Sequence, residues 1–545
     1  MRIVSCVMYQ RRIIWGSIGK KHASFQLVAL PGTQPATTKR GSESQSTDQP
    51  PHPTLANNVH YRTMTTPTTA PRHRQLRLVQ LAMLLQHVLL FGSYASVIVG
   101  SKKLAAQVFD SSATASGWFI GGLMCTFPAA ILVYYLKNSL RISQPTSNVL
   151  VVIGMFGAAF SDLLMAVLAM MLPKGSHFIF LILLRFISAF FYGLAEMIVL
   201  QRQMDLTPKQ DQSTIQLLRQ GSQTLAIALA YGTSGLFNVI FAGMDADVDQ
   251  LARIVVAGPV CIFAGLSLLF ALLFWYVLAP STTPSEATSV ESMLHYKLEV
   301  DAALETAGQQ RNSINHDSST STSAHVLLHV LFIVMERSLI IAALEAASSY
   351  LFEEQFSLSG SVTSLVLTLS MVVATVTTVL MSYATRGTYS IFGKLKIMVV
   401  CSVGVLASTV LCFPAVTNAV NSWYPIGIMD ILIFSNASVF LGLAFGLAGE
   451  YFIPSSFWLS SSAFFVGMEI CHTIGRVSGA PLARMLLSTA SGNGQLGYAF
   501  LQMFVSSIGV AMAMHLSWIV FQVEKRKSLE EDGDGAQDER ALLMG

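Results

Sequence analysis

The chain has 545 residues, of which 52% are hydrophobic and only 12% charged, and its mean hydropathy is +0.56. A soluble domain cannot bury so much apolar surface while solvating itself with so few charges, so the composition excludes a water-soluble globular protein. The formal charge of +3 points to no nucleic-acid partner, because the charged residues sit in tails and short loops.

Residues 1–75 read as a separate basic tail. The first 42 residues hold Arg2, Arg11, Arg12, Lys20, Lys21, Lys39 and Arg40 and no acid. That composition suits a transit peptide. Two plainer readings compete with it: a disordered basic tail, or a true start at Met64.

Apolar runs long enough to cross a bilayer as helices follow near 76–99, 112–136, 147–172, 177–200, 214–241 and 251–278. Six more fall near 325–352, 359–385, 395–415, 425–450, 460–488 and 496–522. The fold expected is therefore an all-α membrane protein of about twelve spans. Its organisation is an N-terminal six-helix bundle over 76–280, a linker over 281–324, and a C-terminal six-helix bundle over 325–523. The linker is polar and Ser/Thr-rich, with room for one short amphipathic helix near 290–305. Residues 524–545 form an acidic tail in which Asp538 precedes Leu542 and Leu543 by four positions, the pattern of a dileucine sorting signal.

Loop charge sets the expected orientation. Lys137, Arg141, Arg202, Lys209, Arg219, Arg386, Lys394 and Lys396 mark the even connections, and Lys525, Arg526 and Lys527 mark the C-terminal end. The odd connections offer Lys102, Lys103, Lys174, Arg253 and Arg484. The bias places both termini and the even connections in the cytoplasm. The membrane expected is the plasma membrane or a vacuolar or lysosomal one. The two halves also echo each other: Phe191-Tyr192-Gly193-Leu194-Ala195-Glu196 and Phe445-Gly446-Leu447-Ala448-Gly449-Glu450 are both expected to end a helix on the even side.

The six cysteines include no C-x-x-C pair and no disulfide framework. The segment Gly387 to Lys394 fails as a phosphate loop, since its glycines are wrongly spaced and no Ser or Thr follows the lysine. No cofactor or metal site is expected.

Three local features carry a family resemblance. Leu184-Arg185-Phe186-Ile187-Ser188-Ala189-Phe190-Phe191-Tyr192-Gly193 lies in the fourth span, and Gly475-Arg476-Val477-Ser478-Gly479-Ala480-Pro481 in the eleventh. Lys137 and Arg141 remain in the connection after the second span, and Arg386, Gly393, Lys394 and Lys396 in that after the eighth. With the 6+6 division, these resemble the helix-4 arginine motif, the Gly/Pro motif of helices 5 and 11 and the eroded signature loops of the major facilitator superfamily (MFS). The resemblance implies an MFS-like fold and a secondary transporter working by alternating access. No subfamily signature is evident.

An ionisable side chain in mid-membrane costs several kcal/mol unless it is paired or wet, so each one is a candidate. Glu469, His472 and Arg476 are spaced by three and four, which puts them on one face of the eleventh span. Glu336, Arg337 and Glu345 lie in the seventh span, Arg185 and Glu196 share a face of the fourth, and Asp162 lies in the third. Gln86 and His87 lie in the first, while Asp430 and Glu450 fall near span ends where hydration is easy. One reading makes the acids of the fourth, seventh and eleventh spans proton carriers and gives Arg185 or Arg476 an anionic group or a carboxylate to hold. The other makes all of them interhelical ion pairs that fix one conformation. Gly258, Pro259, Gly475, Gly479 and Pro481 are candidate flex points, and Pro128 a kink. His325 and His329 have metal-site spacing but no third ligand.

The function expected is a symporter or antiporter for a small polar or charged organic solute, coupled to H+. It is not an enzyme, and it acts as a monomer in the lipid bilayer. A transporter-fold sensor without flux, or a membrane-embedded enzyme, are the alternatives.

Overall fold

In hydrocarbon every backbone N–H and C=O must find its partner within the chain, and a helix does this locally. The computed structural model accordingly contains, among the described residues, twelve long helical segments. They are α1 (Thr69–Ser96), α2 (Ala113–Gly121 resuming at Phe127–Ser139), α3 (Gln144–Met171), α4 (Ile179–Leu206), α5 (Gln212–Ala242) and α6 (Val248–Leu278). After them come α7 (His316–Glu354), α8 (Gly360–Ala384), α9 (Ile391–Ser408), α10 (Tyr424–Ala448), α11 (Ser461–Thr489) and α12 (Gly494–Met544). The structure describes residues 69–139, 144–207, 211–242, 247–278, 316–385, 390–413, 422–453, 458–489 and 494–544, with 415, 416, 420 and 456.

Ten of these helices are long and apolar enough to cross a membrane, and an eleventh span results if Gln80–Ser96 and Ser101–Val108, bent by 49°, count as one. The remaining helix, α11, carries Glu469, Arg476 and Arg484 among its 29 residues. The break in α2 is a tight turn over Gly122–Met124. It falls just before Pro128, whose ring cannot supply an N–H to the preceding turn. Pro259 and Pro481 lie inside α6 and α11, which run through them.

Several sequence expectations need correction. The seventh helix starts at His316 rather than near 325, taking in the end of the expected linker. The last helix continues to Met544, so Asp538, Leu542 and Leu543 lie on helical backbone; their side chains fall outside the described residues, as does the segment 290–305. Arg219, assigned to a loop by charge counting, lies within α5 and is 4% exposed. The echo between halves also fails in register. Glu450 follows the end of α10, whereas α4 runs on past Glu196 to Leu206.

The first six helices pack through α3 on α4 and α6 and through α1 on α5; the last six pack through α7 on α11 and α10 on α8 and α9. The two sets meet where α5 lies on α8 and α10, and where α2 lies on α11. Small residues allow these approaches, as expected where no hydrophobic force separates helix from lipid. A Cβ on Gly479 would stand 2.6 Å from Leu339 O, one on Gly121 2.8 Å from Val477 O, and one on Gly475 against Met335 O. Gly258 is likewise packed against the Phe237 ring. The expected flex points at 258, 475 and 479 are thus sites of helix contact. Gly475→Val should push α11 off α7 and cost about 1–3 kcal/mol by overpacking, read as a lower midpoint of thermal unfolding in detergent. An unchanged midpoint would show that the crossing yields freely.

Candidate functional site

The buried charges form separate clusters, each built from several helices. In the first, Asp162 of α3 is fully buried and accepts from Ser93 Oγ (2.6 Å), Ser188 Oγ (2.8 Å) and Tyr192 Oη (3.3 Å). Arg185 of α4 lies 3.7 Å from it and donates to Ser93 O at 3.1 Å and Tyr94 O at 3.3 Å. Every carboxylate oxygen is answered, so this is a knot that ties α1, α3 and α4 together. Glu196, on the same face as Arg185, is eleven residues away, about 16 Å along the axis. It therefore takes different partners: Arg219 Nη2 of α5 at 2.6 Å and His87 Nδ1 of α1 at 3.0 Å.

The second half contributes a pair of its own. Arg476 of α11 meets Glu345 of α7 at 2.7 Å, and both are fully buried. Tyr94 of α1 reaches across from the first half and donates to the same Glu345 oxygen at 2.8 Å. The rings of Phe91 and Tyr94 flank the guanidinium at 5.5 and 5.3 Å. Of the two roles expected for Arg185 and Arg476, an anionic group or a carboxylate, each faces the second: Asp162 and Glu345.

Glu469, about two turns before Arg476 on α11, accepts from Thr126 Oγ1 of the first half at 2.7 Å. Beside it Thr473 Oγ1 donates to Met124 O at 3.0 Å. Both bonds are made at the break in α2, where Met124 ends the tight turn and Thr126 stands just before the resumed helix. Among the described residues no cation stands at ion-pair distance from Glu469; Glu196 and Arg219 act on it at longer range from across the divide. His472, on the same face, stacks obliquely on Phe91 with ring centres 6.0 Å apart.

Arg337 of α7 also crosses the divide, donating to Gln220 Oε1 of α5 at 3.2 Å. Glu336, its neighbour in sequence, points elsewhere, toward His515 Nε2 of α12 at 3.2 Å. His515 in turn faces His329, with Nδ1 atoms 2.7 Å apart, which gives that histidine an interhelical partner. Among the described residues no group of three His, Cys, Asp or Glu side chains could hold a metal ion. Asp430, expected to be hydrated near a span end, is fully buried and accepts from Ser348 Oγ at 2.9 Å. Glu450 pairs with Lys394 at 3.2 Å.

Sequence reasoning missed Arg219, Gln220, Tyr94 and Thr126 as members of these clusters. Arg219 and Gln220 could have been found from their place inside an apolar run. Tyr94 and Thr126 carry no signal of their own, since a single hydroxyl in a span is common. Lys102 and Lys103, which run against the charge bias of the loops, have partners that explain them. Lys102 pairs with Glu354 and sits 4.0 Å over the Tyr350 ring, and Lys103 pairs with Glu353 at 3.1 Å. An apolar pocket of about 590 Å³, lined by Tyr134, Leu327, Leu331, Trp458 and Phe464, opens between α2, α7 and α11 and includes none of the candidate charges.

No family model matches the chain, and neither does any curated protein. Among solved structures it is similar to the MFS proton:xylose symporter XylE bound to 6-bromo-6-deoxy-D-glucose, with 16% identity over 81% of this chain and 95% of that one, at a TM-score of 0.56. Two weaker likenesses are to XylE from E. coli in a partially occluded inward-open conformation (14% identity, 76% and 99% covered, TM-score 0.46) and to the MFS transporter FucP in the outward conformation (14%, 80% and 98%, 0.47). Twelve long helices, most of them apolar enough to span a bilayer, with a superposition that takes in four-fifths of the chain, lead to one conclusion: this is a multi-pass membrane protein with the fold of the major facilitator superfamily.

Proposed function

We propose that the protein is a secondary transporter that moves a small polar or charged organic solute by alternating access, with a proton coupled to the movement through Glu469. The observation that carries this reading is the set of polar contacts bridging the first and last six helices. Thr126 meets Glu469, Tyr94 meets Glu345, and Gln220 meets Arg337. A purely structural role would be served by apolar packing at lower cost in the membrane. Contacts that close only when the halves meet are what a rocking carrier uses to register its occupancy.

The ends of the two halves support it too. On the side of the odd connections, Lys102 and Lys103 hold Glu354 and Glu353. On the side of the even connections, α5 and α10 approach at Ser213 with Gly446 and at Gln212 with Gly449. The odd-side contacts are ionic and reversible in water. The even-side contacts are small-residue packing that can part without exposing charge.

Glu469 is suited to the proton because its charge has no counter-ion at contact. A proton taken up on one side would neutralise it while the halves are closed, and opening would return it to water. Glu196, by contrast, is held by both Arg219 and His87.

The test is uptake by proteoliposomes of purified protein, with and without an imposed pH gradient, over a panel of sugars, organic acids and amino acids. The expected result is accumulation of one class against its gradient when the proton gradient is present. Binding of a solute with no flux under any gradient would favour a transporter-fold sensor.

A further inference from the structure

The buried arginines differ in how they are answered. Arg185, Arg219 and Arg476 each face a carboxylate. Arg484, at the odd-side end, donates to Ser349 Oγ at 3.1 Å and lies 5.5 Å from the Tyr350 ring. Arg337 is 1% exposed and meets only neutral oxygens: Gln220 Oε1 at 3.2 Å and Ser438 Oγ at 3.5 Å. Its Nε and Nη1 have no partner among the described residues. Among the described residues the charges that act on it at longer range are two further cations, Arg476 and Arg219, and one carboxylate, Glu345, which Arg476 already holds.

A guanidinium left in this state inside a membrane protein carries a large desolvation cost with little return. Its planar fork of donors matches the paired oxygens of a carboxylate or phosphate, and charge-assisted bonds of that kind are about twice as strong as neutral ones. The place is also the right one for cargo. Arg337 belongs to the last six helices and Gln220 to the first six, so an anion seated on the guanidinium would touch both halves and favour their closure.

We propose that Arg337, with Gln220 beside it, is the docking point for an anionic group on the solute, so that the cargo is a small organic anion bearing a carboxylate or phosphate. This deepens the transporter reading and rests on it. Arg185 and Arg476 are excluded from the role because the carboxylates they hold would have to be displaced first. Among the described residues Arg337 has only a neutral amide and a hydroxyl to give up.

The test measures binding to full-length purified protein by thermal shift, using lactate and succinate as carboxylate probes, glycerol 3-phosphate as the phosphate probe and D-xylose as the neutral one. An anion should stabilise the wild type, and the probe that does so separates carboxylate from phosphate. Arg337→Gln should weaken that binding by about 30-fold or more, and Arg337→Lys should retain part of it, since a point charge remains without the fork. Gln220→Ala, which leaves the charge in place, should cost only about threefold and serves if Arg337→Gln does not fold. The proposal is overturned if no anion binds, if only D-xylose does, or if anions bind the Arg337 variants as they bind the wild type. Gradient-driven uptake of D-xylose with no anion binding would remove the proposed cargo class and leave the transporter reading standing.

Discussion

Glu469→Gln should abolish accumulation driven by a proton gradient while leaving exchange of solute across the membrane close to the wild-type rate. The substitution keeps the size of the side chain and an oxygen that can still accept from Thr126 Oγ1, which lies 2.7 Å from the native carboxylate. It removes only the ability to bind and release a proton. A gradient of about one pH unit supplies about 1.4 kcal/mol per proton, enough to hold a roughly tenfold ratio of solute across the membrane in a one-to-one symport. The variant should bring that ratio to one, in a counterflow assay that otherwise looks normal. The wild type should take up solute faster as the pH on the uptake side falls, because protonation loads the carrier; the variant should show no such slope. The groups facing Glu469 are Thr126 on α2, Glu196 on α4 and Arg219 on α5, with His472 on its own helix. Arg219 is already bound to Glu196 at 2.6 Å and so is not free to replace the proton. Accumulation that survives in Glu469→Gln would move the proton to another acid, with Asp430 the next to test.

How much of this was readable in the chain depends on the range of the interaction. Helices came through clearly, because burial of backbone polar groups leaves an apolar run of about twenty residues no other regular structure. The common face of Glu469, His472 and Arg476 followed from helical period alone, and the structure does turn Glu469 and Arg476 toward α1, α2 and α7. Partner choice was not readable. Arg185 and Glu196 share a face, yet each finds its counter-ion on a different helix. Arg219 was misplaced because a basic residue near the start of a span looks the same in sequence whether it caps the helix or enters the core. Lys102 and Lys103 broke the loop-charge rule because they answer Glu354 and Glu353, which lie some 250 positions further along the chain. Matching motifs misled for the opposite reason. Glu196 and Glu450 end similar strings of small and apolar residues, but only the first lies in the interior of its half.

Arg476→Leu should be among the most damaging single changes in the molecule, and Arg476→Leu with Glu345→Leu should be much milder. In the native protein the pair is fully buried at 2.7 Å, with Tyr94 Oη donating to the same Glu345 oxygen at 2.8 Å. Removing the guanidinium leaves a carboxylate answered by one neutral hydroxyl, in a region where breaking a buried pair costs about 3–5 kcal/mol. Removing both charges withdraws the penalty along with the attraction, and two leucines of similar reach can pack against Phe91, whose ring already lies 5.5 Å from the guanidinium carbon. A double-mutant cycle on unfolding in detergent should therefore give a coupling energy of a few kcal/mol, with the double variant near the wild type. Flux then separates two roles that stability alone cannot. If the pair only joins α7 to α11, the stable double variant should still carry solute. If Tyr94 of the first half must find Glu345 for the halves to close, the double variant should be folded, able to bind solute, and slow to move it. Single and double variants of equal stability would show that the pair is solvated in the membrane and holds nothing.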